Sequence, residues 1–242
     1  MLLMRAVAVV GISMLGTGCV TTVAGTPTRA GRLGGSVLPL EQVLPDDTEV
    51  SAAVGNRLPP HSPAVVGGID VLPNGIRDSG GAAPIDCLGV VAPAMRIVYE
   101  PGHVRAVATQ DYWNYDSGVT VSSATATAIR LASAADAQRL FASFVKQWQR
   151  CEGTTITMYT HDSSNTELYS KPTDTRVDGP VLSATVIAWD NHHTSPAPDE
   201  RAVGVQGDVI AEVKVADGPR VRAGTRAIDL VDVMLRKVSS SS

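Results

Sequence analysis

Cysteine is nearly missing from this chain: three in 242 residues, at positions 19, 87 and 151. Three thiols cannot all pair with one another. That excludes a disulfide-dense miniature fold, and no Cys-x-x-Cys pair offers a zinc or redox motif. Aromatic residues are scarce too, at 4% with only two phenylalanines, so the core must lean on Val, Ala, Ile and Leu. Charged residues make up 18% and the net charge is −4. No basic face is advertised for nucleic acid. The chain contains no G-x-S-x-G elbow, P-loop, G-x-G-x-x-G turn or H-E-x-x-H helix. Nor does it carry the parts of a kinase. No internal repeat of twenty to fifty residues is apparent.

What is present begins at the N-terminus. MLLMR carries one basic residue, and AVAVVGISMLGTG follows without a charge, over residues 6–18. This is the pattern of an export signal. As a helix such a run reaches roughly 20 Å, short of a bilayer core of ~30 Å, so it predicts no permanent span. Small residues Gly16, Thr17 and Gly18 stand just before Cys19. The stretch resembles a bacterial lipobox, in which a thiol is acylated and cleavage makes the cysteine the first mature residue. Gly18 and Cys19 match that pattern, while Gly16 departs from the preferred Leu, which stands at Leu15. The rival is a plain secreted protein whose signal happens to contain a cysteine. On the lipobox reading, residues 1–18 are a lipoprotein signal peptide and Cys19 is the lipid anchor. Residues 19–39 are then a flexible tether rich in Thr, Gly and Ala with a mean reach of about 25 Å. The chain is thereby expected on the extracytoplasmic face of the cell membrane, in the cell envelope.

The folded part is expected over residues 40–238, with 239–242 as a disordered tail. LPDDTEVSAAVGN (44–56) reads as a short helix that Asp46, Asp47 or Thr48 caps and Gly55 ends. Pro and Gly then punctuate a loop-rich region up to the segment that carries Cys87. VRAVATQ (104–110) and VTVSSATATAIRL (119–131) are strand-like, and the polar DYWNYDSG between them predicts a turn. SAADAQRLFASFVKQWQRC (133–151) is the clearest helix. Ser133 caps it, and Ala137, Leu140, Phe141, Phe144, Val145 and Trp148 recur at spacings of three and four. Residues 154–160, 181–190 and 202–216 read as further strands, the last with a bend or hairpin at Gly207-Asp208. A closing helix places Ala227, Leu230, Val231, Met234, Leu235 and Val238 on one side. Strands outnumber helices, which predicts an α+β fold with a mainly antiparallel sheet.

If Cys19 is an anchor, Cys87 and Cys151 remain. Export puts them in an oxidising compartment, where a bridge is expected. Buried free thiols and a metal site are the alternatives, the latter poor without a nearby histidine.

The order DCLGVVAPAMRIVY, VRAVATQ, VTVSSATATAIRLASAADAQRLFASFVKQWQRC and ERAVGVQGDVIAEVKVA resembles the PknH-like extracellular domain. That domain is the sensor module of a mycobacterial receptor Ser/Thr kinase, found also alone in small exported lipoproteins. The resemblance rests on Asp86-Cys87-x-Gly89, on the helix ending at Trp148 and Cys151, and on Arg201-Ala202. It implies an α+β fold with flanking helices and a ligand cleft, and a first disulfide between Cys87 and Cys151. The family's second disulfide would fall at Asp199 and Ala216, where this chain has no cysteine.

Candidate sites are few. Tyr112, Trp113 and Tyr115 crowd the expected turn, and amphipathic rings on a loop suit a small-molecule, lipid or glycan ligand. Folding back over the sheet edge is the other use of such rings. His192 and His193, with Asp190 nearby, could suggest a metal, but adjacent residues of an extended chain point apart, and a solvated loop reads better. Ser, His and Asp within YTHDSSN (159–165) lack the marks of a nucleophile turn. The reading is a non-catalytic, membrane-anchored ligand-binding or sensor-type lipoprotein, with no cofactor. An envelope hydrolase with an unrecognised site, or a module docking a membrane receptor, are the rivals.

Overall fold

The structure is a computed structural model that describes residues 38–218 and 221–240. The signal peptide, Cys19 and nearly all of the tether lie outside the described residues, as does the end of the tail.

Alternating small and β-branched residues build nine strands among the described residues, in one antiparallel sheet ordered β1-β3-β4-β9-β8-β7-β6-β5-β2. Its centre is made by β3 (Val104–Trp113), β4 (Val121–Leu131), β6 (Glu167–Asp178), β7 (Val181–Asp190), β8 (Ala197–Gln206) and β9 (Val209–Asp217). Short strands close its flanks: β1 (Val65–Gly67) at one edge, then β5 (Ile156–Tyr159) and β2 (Ala82–Ala83) at the other. The expected bend at Gly207-Asp208 is a two-residue connection between β8 and β9, with Gly207 at φ 56°. β6 has no counterpart in the sequence reading. The expected turn over 111–118 is also corrected: Asp111, Tyr112 and Trp113 complete β3.

Helices lie on both faces. α4 (Ala134–Cys151) starts at Ser133, whose hydroxyl oxygen accepts from the Asp136 amide at 3.1 Å. It buries Leu140, Phe141, Phe144 and Trp148 against Ile129, Leu131, Val203 and Val205. The four-residue helices α2 (Leu88–Val91) and α3 (Arg96–Tyr99) pack on the same side. α5 (Arg226–Ser239) covers the opposite face, where Leu230, Val231, Met234 and Leu235 meet Val209, Val213 and Val215. This helix sits very close to β8: a Cβ on Gly204 would lie 2.5 Å from Val231 Cγ1 and 2.8 Å from Leu235 Cδ1. α1 (Asp47–Val54) joins the α5 layer. It opens with a capping box of Asp46 and Glu49 and closes at Gly55, φ 78°. Only a residue that tolerates left-handed backbone ends a helix in this way at no cost.

A disulfide joins Cys87 to Cys151 with Cα atoms 5.7 Å apart. It fastens the turn before α2 to the last residue of α4, across 64 residues of sequence.

Candidate functional site

Side chains alternate between faces along a strand, so the α4 face can be followed strand by strand through the register. Asp111, Thr125 and Lys214 are successive partners across β3, β4 and β9, and Lys214 pairs with Arg201 of β8. One step toward α4 along these strands, burial becomes complete. Thr127 is 0% exposed and its hydroxyl meets that of Thr109 at 2.8 Å. Ile129 and Ile210 follow beneath the helix. One step the other way, the helices no longer cover the sheet, and Trp113 and Ser123 face each other across β3 and β4. The face is thus divided crosswise into a roofed apolar half and an open polar half.

Arg201 and Glu212 mark the boundary. Both are buried and they form an ion pair. Glu212 also accepts from the Tyr99 hydroxyl at 2.5 Å and from the Ala94 amide at 2.9 Å, which ties the loop between α2 and α3 down onto the sheet. Arg201 donates to the Gly89 carbonyl at 3.3 Å and lies 5.5 Å from the ring centroid of Trp148. Its Nε and Nη1 have no conventional acceptor. The indole face supplies the remaining electrostatic partner. Burial pushes the Glu212 carboxyl up, while the guanidinium beside it pulls the other way. The Tyr99 hydroxyl is raised well above its usual value, first by burial and then by the Glu212 charge.

On the open half, polar groups are paired, with Asp111 exposed and Asp199 itself largely buried. Thr125 donates to Asp111 at 2.7 Å, and Lys214 bridges to Asp199 at 2.8 Å. Asp199 and Ala216 are direct register partners on β8 and β9. The two positions at which the resemblance locates a second disulfide therefore stand opposite one another, and the Lys214–Asp199 ion pair occupies that end of the strand pair instead.

The three rings near the end of β3 separate. Tyr112 points to the α5 side, is 1% exposed and donates to the Pro45 carbonyl at 2.5 Å. It belongs to the core there. Trp113 points to the open half, 40% exposed, stacked on His61 with centroids 3.8 Å apart. Tyr115 is 73% exposed, with its ring 6.0 Å from that of Trp113. A strand at 111–113 sends adjacent rings to opposite faces, where a turn would have kept them together.

The other polar segments are local turns. Asp190 accepts from the amides of His192 and Thr194 at 2.8 and 3.2 Å, so its carboxylate shapes the backbone. Among the described residues no group of three His, Cys, Asp or Glu could hold a metal ion. In YTHDSSN, His161 bonds the Gly80 carbonyl at 2.8 Å, while Asp162 accepts from the amide and hydroxyl of Ser164. Among the described residues a hydroxyl–imidazole contact is made by Thr166 and His192, 3.0 Å apart on an exposed surface.

The α5 face has a charge cluster of its own, which the sequence did not reveal. Glu200 accepts from the amides of Gly224 (2.6 Å) and Ala227 (3.2 Å), so a β8 carboxylate caps α5. Arg226 bridges Glu200 to Asp217. Burial, then the neighbouring Glu200 charge, pushes the Asp217 carboxyl up to about 7. A cavity of about 480 Å³ lies beside this cluster, lined by Thr173, Ser183, Thr185 and Glu200 and by the segment leading into α5.

Comparison with known proteins gives one family and one fold. A family model described as the PknH-like extracellular domain matches residues 37–237. The crystal structure of the extracellular domain of PknH from Mycobacterium tuberculosis superposes with a TM-score of 0.70 at 15% identity, covering 86% of this chain and 100% of that one. An uncharacterized protein from Mycobacterium smegmatis gives a TM-score of 0.36 at 9% identity, covering 86% of this chain and 99% of the other. No curated protein matches.

Proposed function

The chain belongs to the PknH-like extracellular domain family, and from that premise we propose that it is an exported, non-catalytic, sensor-type domain held on the membrane by an acylated Cys19. Its task is to bind a small-molecule, lipid or glycan ligand outside the cytoplasm. The observation that carries ligand binding is the crosswise division of the α4 face. A polar, accessible half-sheet adjoins the buried Thr127 and Glu212, partners across β4 and β9, and the buried Arg201, which stands opposite Lys214 and is ion-paired to Glu212. Rigid elements that present partly exposed polar groups suit recognition. Tyr112 lies in the core, so Trp113 and Tyr115 are the two rings available for contact. The extracellular family description supports the location. Among the described residues no helix is long and apolar enough to cross a membrane. Hydrolysis is not proposed, since the Thr166–His192 contact lies on an exposed turn and Asp162 bonds Ser164 rather than an imidazole. A protein-docking module is the second reading, favoured by Val65 and Val66, 49% and 51% exposed on the edge strand β1.

Native purification followed by mass spectrometry tests both parts of the proposal. The mature protein should begin at Cys19 with acyl chains attached, and a small molecule should leave with it on extraction. An unmodified Cys19, or cleavage elsewhere, overturns the anchor; a protein that carries no extractable ligand and binds none added overturns the ligand-binding role.

A further inference from the structure

We propose that the open half of the α4 face is a glycan platform, on which sugar rings stack against Trp113 and lie along Asp111, Ser123, Thr125, Lys214 and Asp199. This rests on the ligand-binding reading above and assigns it a ligand class.

The register orders these groups. Trp113 and Ser123 face each other, Asp111 and Thr125 follow, then Lys214, with Asp199 beside it on β8. The row crosses four neighbouring strands, three inter-strand steps or about 14 Å. That length accommodates a short run of sugar units. At one end is a large ring that remains 40% exposed although one face already rests on His61. Leaving so much indole in water is unfavourable. A pyranose face, with its row of C–H groups, would cover it. The rest of the strip offers donors and acceptors together: two hydroxyls, two carboxylates and an ammonium, held in place by pairs of 2.7 and 2.8 Å. Sugar hydroxyls both donate and accept, so they can join each of these pairs without leaving a charge unpartnered.

Other ligand classes fit less well. An acyl chain laid here would remove Asp111 and Lys214 from water and give them nothing in return. An extended peptide gains its affinity from main-chain bonds to a strand edge, and this strip is a face, whose strands are paired on both sides. Two carboxylates against one ammonium also disfavour a phosphorylated or strongly acidic ligand, so the glycan is neutral or amine-bearing.

The test is calorimetric titration of the full mature chain in a detergent without a sugar head group. The probes are chitotetraose, maltotetraose, mannotetraose and arabinotetraose, with phosphatidylglycerol vesicles in a parallel run. At least one tetrasaccharide should bind saturably. Trp113→Ala should weaken it about tenfold, and Trp113→Phe distinctly less, as expected for loss of an aromatic stacking partner. Asp111→Asn combined with Thr125→Val should weaken binding several-fold, with an unchanged melting temperature as the check on folding. Binding unaffected by Trp113→Ala, or no heat with any tetrasaccharide, overturns the platform. Binding of vesicles alone, or a lipid or peptide extracted from the native protein, also overturns the glycan assignment but leaves ligand binding standing. If nothing binds and nothing is extracted, both proposals fall.

Discussion

Glu200 and Arg201 are neighbours in sequence, and the pleat of β8 sends them to opposite faces of the sheet. On the α4 face, Arg201 meets one carboxylate, Glu212, whose other bonds come from Tyr99 and Ala94. Positive and negative charge are matched there. On the α5 face, Glu200 and Asp217 share one guanidinium, Arg226, so acid is in excess. On the α4 face burial raises the Glu212 carboxyl, and the adjacent guanidinium opposes that shift. On the α5 face burial first, and then the second carboxylate at Glu200, push the Asp217 carboxyl up to about 7. Burial raises both carboxyls; on the α5 face a neighbouring acid adds to the shift, whereas on the α4 face the neighbouring charge is a guanidinium that opposes it. The two faces also restrain their helices differently. α4 is stapled covalently at its end, whereas α5 is held at its start by a carboxylate cap.

Three sets of substitutions would break or sharpen this contrast. The largest effect belongs to Arg201→Met, which strands Glu212 in the core and should cost about 3–5 kcal/mol of unfolding free energy in denaturant titrations. Adding Glu212→Gln, which keeps an acceptor for Tyr99 and Ala94, should recover much of that loss. A single variant as stable as the parent would end the argument for a matched pair. Next, replacing Cys87 and Cys151 by serine should lower stability by roughly 4 kcal/mol at most, from the entropy of the closed loop. The loss should appear first as faster amide exchange in α4, with α5 little changed; equal exposure of both helices would contradict the difference in how they are held. The smallest effect is that of Asp217→Asn. A carboxyl whose folded pKa is about 7 against 3.8 in the unfolded chain stabilises fully below pH ~4, and that contribution disappears as the pH rises through ~7. The variant should lack this slope and be about 1–2 kcal/mol more stable than the parent at pH 8, allowing for the screening that Arg226 provides. A parent protein with equal stability at pH 5 and pH 8 would refute the imbalance on the α5 face.

Sequence periodicity revealed α4 and α5 well, because their apolar residues recur at helical spacing and are the residues buried. The Cys87–Cys151 bridge was legible for a different reason: only two thiols remained once Cys19 was set aside. β6 was not legible. Its sequence, Glu167–Asp178, includes Lys171, Pro172, Asp174 and Arg176, and it has exposed polar positions where a central strand would show Val or Ile. Pro172 is tolerated because β5 ends its pairing at Ser170; beyond it the turn after α4 uses only the Pro172 carbonyl, which accepts from the Gly153 amide at 2.8 Å, so no donor is needed at that position. The start of β8 was hidden likewise, since Pro198, Asp199 and Glu200 read as loop. Arg201 and Glu212 are recognisable only in combination, as single charges inside otherwise apolar strands that the register brings to neighbouring positions. The open strip was concealed by the turn expected at 111–118. A group of rings on a loop suggests one cluster, whereas the strand divides Tyr112 from Trp113.

The alternation at 200 and 201 also constrains how β8 can assemble. Sliding the strand by one residue between β7 and β9 would turn Arg201 toward Arg226 and Glu200 toward Glu212. Both misplaced charges would then face their own sign in a dry interior, on two faces at once. An all-valine strand would tolerate that slip with modest penalty, but this one forbids it. The opposed charges thus act as a key that admits a single alignment at the middle of the sheet.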